Sequence, residues 1–170
     1  MVLGMSLETF TLLHVVLSLV GIATGLVMAF GMITSRAFGG WTAVFLVTTI
    51  LTSATGFLFP FERVLPSHVF GVVSLALLAV ALVARYGYRL AGAARWVYVV
   101  TAVVALYLNA FVGVVQTFLK IPFFHAMAPT QSELPFVVGQ GITLIAFALL
   151  GYLAVRRFHP PERTAVLRAA

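Results

Sequence analysis

Five long apolar runs, at residues 7–33, 41–60, 66–84, 96–119 and 136–155, constrain this chain more than any other feature. About 20 helical residues rising 1.5 Å each cross a hydrocarbon layer roughly 30 Å thick, and each run is close to that length. Only 8% of the 170 residues are charged and 62% are hydrophobic, for a mean hydropathy of +1.14. A soluble domain of this size still exposes about a third of its unfolded surface. So few charged side chains cannot clothe it, which leaves lipid as the solvent. The expected fold is an all-α integral membrane protein, with five transmembrane helices in an antiparallel bundle over residues 1–158 and a short basic tail at 159–170.

Breakers and charges mark the joints: Arg36 with Gly39 and Gly40, then Glu62 and Arg63 before Pro66, then the arginines from Arg85 to Arg95, and finally 120–135. Taken by alternate joints, one side holds Arg36, Arg85, Arg89, Arg95, Arg156, Arg157, Arg163 and Arg168, the other only Arg63 and Lys120. The positive-inside rule then places the N-terminus outside and the C-terminus in the cytoplasm. Trp41 and Trp96 fall at the arginine-rich interface, where indole rings settle. The first residues carry Glu8 rather than a basic segment, so they are expected to be retained and not cleaved as a signal. The chain has no cysteine, which removes disulfides, thiolate nucleophiles and Cys-ligated metal clusters. The net charge of +6 sits at segment ends without interleaved aromatic residues on a polar surface, so a nucleic-acid partner is not expected.

Helical spacing collects polar residues into stripes. In the first run His14, Ser18, Gly21, Gly25, Met28 and Met32 share a face, and Gly21 with Gly25 forms a small-xxx-small pair that admits a neighbouring backbone. The second run offers Thr48, Thr52 and Thr55. The fourth aligns Tyr98, Ala102, Ala105, Asn109, Val112, Gln116 and Lys120, and the fifth Gln140, Thr143, Phe147 and Gly151. With the orientation above, His14, Thr52, Thr55, His68, Asn109, Gln116 and Gln140 lie in the outer half and His125 in the outer loop. The inner half has no intramembrane histidine or carboxylate. A polar group in hydrocarbon needs a partner from the protein, so a pocket open to the outside is expected. The long joint 120–135 is expected either to fold over it as a lid or to hang as a free loop, and Ser67 reads as an N-cap for the third helix.

The segments TSATGFLFPF (52–61), PSHVFG (66–71) and FVGVVQTFLKIPFFHAMAPTQSELPF (111–136) resemble those of a family of small bacterial multi-span inner-membrane proteins with no assigned activity. The resemblance implies a multi-pass protein of the bacterial inner membrane and carries over no catalytic residue. A looser similarity to small b-type cytochromes rests only on histidines in neighbouring helices, and the chain lacks their inner histidine pair.

Three functions fit these residues. The first is binding or transport of a small polar molecule or lipid headgroup, with His14, Thr52, Thr55, Asn109, Gln116 and Gln140 lining the site. The second is a haem b, copper or zinc centre using His14 and His68, with His125 as a third ligand or gate. The third is a structural or accessory subunit, as a homo-oligomer or beside a partner membrane protein, whose polar groups merely satisfy one another. Hydrolytic chemistry lacks a buried carboxylate to orient a histidine, so an enzyme is the weaker expectation.

Overall fold

A computed structural model describes residues 2–36, 38–60 and 66–159, and they are all-helical, with no strand among the described residues. The helices are α1 (Leu7–Ile33), α2 (Gly39–Gly56), α3 (Pro66–Leu82), α4 (Ala93–Lys120), α5 (Pro122–Met127) and α6 (Leu134–Arg157); a π turn, Val83–Gly87, extends α3. The Arg63 and Glu62 joint, the Ser67 side chain and the tail beyond His159 lie outside the described residues.

Local chemistry sets the ends. The Ser6 hydroxyl caps α1 by accepting the Thr9 N–H at 3.1 Å. Gly92, at φ 52°, supplies the left-handed turn that starts α4. Prolines open α5 and α6, where a missing N–H costs nothing.

Four helical segments are long and apolar enough to cross a membrane: Leu7–Ile33, His68–Gly87, Ala93–Lys120 and Leu134–Arg157. The remaining expected span, the second, corresponds to α2, whose 18 residues include five threonines and three glycines that dilute its hydropathy. Apolar side chains turned outward agree with a lipid surroundings: Leu12, Phe30, Ile142 and Ile145 are all more than 60% exposed.

Helix α4 is central and touches every other helix, while α6 packs on α4 and α1. The core, including Phe45, Leu46, Leu78, Tyr98, Ala102 and Leu106, lies where α1, α2, α3 and α4 meet. At one end, Ser35 Oγ accepts the His159 N–H at 2.9 Å and Arg95 donates to the Phe158 carbonyl at 2.6 Å. At the other end α5 seats Phe124 against Phe118, ring centroids 5.3 Å apart. The joint expected to be either a lid or a free loop thus contains a short helix docked on α4. Glu133 closes the next turn by accepting from the Thr130 hydroxyl and from the N–H groups of Thr130 and Ser132. Desolvation pushes its pKa up, but these bonds outweigh it and hold the carboxyl below its ordinary range.

Candidate functional site: a polar seam between α1, α2 and α4

The small residues of α1 create the seam. A Cβ at Gly21 would lie 3.0 Å from Thr49 Oγ1, 3.1 Å from Asn109 Nδ2 and 3.3 Å from Thr48 Oγ1, so the bare backbone lets three polar side chains of α2 and α4 close around it. One turn along α1, the Ser18 hydroxyl donates to Asn109 Oδ1 at 2.8 Å, and Asn109 Nδ2 donates to the Ser18 carbonyl at 3.4 Å. Asn109 is buried, so this reciprocal clasp is made largely away from solvent.

A further turn along, His14 Nδ1 lies 2.9 Å from Thr55 Oγ1. The Thr55 hydroxyl spends its hydrogen on the Leu51 carbonyl at 2.7 Å. It therefore accepts from His14, which assigns the proton to Nδ1 and leaves Nε2 with a lone pair. Phe59 stands edge-on to the imidazole, with centroids 5.1 Å apart. The hydroxyls of Thr49, beside the Gly21 backbone, and of Thr52, one turn from Thr55 along α2, are both buried and both without a hydrogen-bond partner. Elsewhere in the same helices Thr24, Thr48 and Thr55 return their hydroxyls to their own helix carbonyls.

Toward the arginine-rich end the seam is shut. A Cβ at Gly25 would collide with Leu106 and Phe45, and those two side chains with Met28 form a buried apolar layer. The seam is thus polar from His14 to Thr49 and stops there.

The sequence-derived residues divide. His14, Thr52, Thr55 and Asn109 lie along the seam. Gln140 is elsewhere: its Nε2 donates to the Phe111 carbonyl of α4 at 3.2 Å, and its Oε1 is buried without a partner. Gln116 is exposed, although it shares the α4 stripe with Asn109. The reason is a change in which side of α4 is covered. Phe118, nine residues beyond Asn109 and so about half a turn round the helix, is the buried residue at this end, packed against Phe124 and Phe136. Ser18, Gly21 and Thr49 complete the seam but were not among the sequence candidates for it. Ser18 and Gly21 lie on the His14 stripe, whereas Thr49 is marked only by its place in the α2 threonine run.

The histidines do not gather as a metal set. His14 is engaged with Thr55, His68 stacks on Phe57 with centroids 5.7 Å apart, and His125 is exposed on α5. Among the described residues, no group of three His, Cys, Asp or Glu side chains is placed to hold a metal ion. A separate groove of about 350 Å³ opens where α4, α5 and α6 meet, and its lining, which includes Val114, Phe118, Phe124, Met127 and Ile142, is almost wholly apolar.

No family model, curated protein or solved structure matches the chain.

Proposed function

We propose that the protein is a five-span antiparallel bundle of the bacterial inner membrane, with its N-terminus outside and its C-terminus in the cytoplasm, that binds a small hydrogen-bonding molecule or lipid headgroup in the seam from the outer side. The carrying observation is the pair of buried, unpartnered hydroxyls on Thr49 and Thr52 beside the Ser18–Asn109 clasp. Each such hydroxyl costs about 1–3 kcal/mol, and hydrocarbon offers no compensation. A ligand with donors and acceptors would supply what the protein leaves unmade, with His14 Nε2 as a further acceptor. Counting α2 as a span accords with its rise of about 27 Å and with its packing against α1 and α3. The apolar layer of Phe45, Leu106 and Met28 favours binding over passage through the bundle.

The test uses valine, which keeps threonine's shape and removes its hydroxyl. Native mass spectrometry of the wild-type protein, extracted in mild detergent, should show a bound small molecule that the Thr49→Val/Thr52→Val variant lacks while retaining its fold. If the wild type carries nothing and the variant melts at a higher temperature, the two hydroxyls are only unsatisfied packing and the protein is better read as a scaffold. A stoichiometric haem absorption band or bound metal would instead favour a histidine-ligated centre.

A further inference from the structure

Arg85 lies on the π turn after α3, where its guanidinium meets Tyr98 but no acid among the described residues. Its central carbon is 5.3 Å from the Tyr98 ring centroid and 5.6 Å from that of Tyr86. Its Nε is fully buried and makes no hydrogen bond. Arginine keeps its charge at any physiological pH, and a charge drawn out of water needs an opposite charge or strong acceptors. Among the described residues no carboxylate provides them. Glu8 and Glu133, the acids among the described residues, begin α1 and α6, whereas Arg85 stands with the ends of α3 and α6 and the starts of α2 and α4.

Among the described residues the charge around it has one sign. Arg36, Arg89, Arg95, Arg156 and Arg157 share that end. Two of them are already occupied within the protein, Arg95 on the Phe158 carbonyl and Arg156 over the Tyr152 ring at 5.3 Å. Arg85 is the one with a buried donor unused. On the α2 side its Nη2 borders bare backbone, 3.9 Å from where a Cβ at Gly39 would stand.

Depth selects the ligand. Trp41, Tyr86, Trp96 and Tyr152 are each at least half exposed around the same end, and such rings settle at the level of lipid headgroups. A π turn widens the helix at this point, and such turns recur at functional sites. We propose that Arg85 anchors the phosphodiester of an anionic phospholipid in this leaflet, its planar fork of donors matching the phosphate oxygens and Tyr86 bordering the headgroup. The site is remote from the polar seam and does not depend on it.

Full-length protein in neutral detergent, titrated with mixed micelles of phosphatidylglycerol or phosphatidylcholine, tests this by the rise in melting temperature with lipid concentration. Phosphatidylglycerol should stabilise at lower concentration than phosphatidylcholine. Arg85→Gln should weaken that preference about tenfold, whereas Lys120→Gln and Thr49→Val/Thr52→Val should leave it intact. Equal effects of the two lipids, or an unaltered preference in Arg85→Gln, would overturn the proposal. So would protection by inorganic phosphate equal to that by phosphatidylglycerol, which would mark a soluble anion instead. Should Arg85→Gln fail to fold, native mass spectrometry of the wild type decides: retention of phosphatidylglycerol over phosphatidylcholine upholds the site, and indifference refutes it.

Discussion

Asn109 joins two helices with one amide, because its oxygen accepts from the Ser18 side chain while its nitrogen donates to the Ser18 carbonyl. Truncating it leaves the Ser18 hydroxyl without its acceptor, so Asn109→Ala should cost about 1–3 kcal/mol. Ser18→Ala and Asn109→Ala combined should cost less than the sum of the two, by at least about 0.5 kcal/mol. Unfolding of the four proteins in detergent measures this, and strict additivity would show that the clasp contributes nothing. The residues of the seam were legible to the extent that a polar side chain on an apolar helix face must turn inward, which is why His14, Thr52, Thr55 and Asn109 could be named in advance. Gln116 and Gln140 were named by the same logic yet lie elsewhere. Periodicity gives the direction in which a side chain points, but not whether a neighbouring helix reaches far enough to cover it.

Close approach of α1 to α2 and α4 depends on which glycines face those helices. Gly25 has Leu106 and Phe45 inside the space a methyl group would take, whereas Gly141 on α6 has nothing within 4 Å. Gly25→Ala should therefore destabilise by about 1–3 kcal/mol through overpacking. Gly141→Ala should be neutral or stabilise by up to about 1 kcal/mol through helix propensity. Thermal melts of the two variants test the contrast, and equal effects would mean that α1 is not held as tightly as its packing indicates. Apolar length located the five main helices to within a few residues, since each needs a long run free of charge. It did not reveal the π turn, whose five residues carry no periodic signal of their own. Nor did it reveal α5, six residues too short for periodicity to register and stabilised by Phe118 of another helix.

For the molecule as a whole, the charge distribution predicts which ends meet which compartment. A chain without cysteine allows a single introduced thiol to report it. Pro129 precedes the Glu133 turn, and Tyr88, 67% exposed, follows the π turn. In intact cells a membrane-impermeant maleimide should label Pro129→Cys directly and Tyr88→Cys only after permeabilisation. The opposite pattern would invert the topology and move the seam to the cytoplasmic side. The apolar layer at Gly25 has a bearing on the host cell as well. With Phe45, Leu106 and Met28 forming a buried apolar layer in the described bundle beneath the seam, abundant copies should leave the electrochemical gradient undissipated.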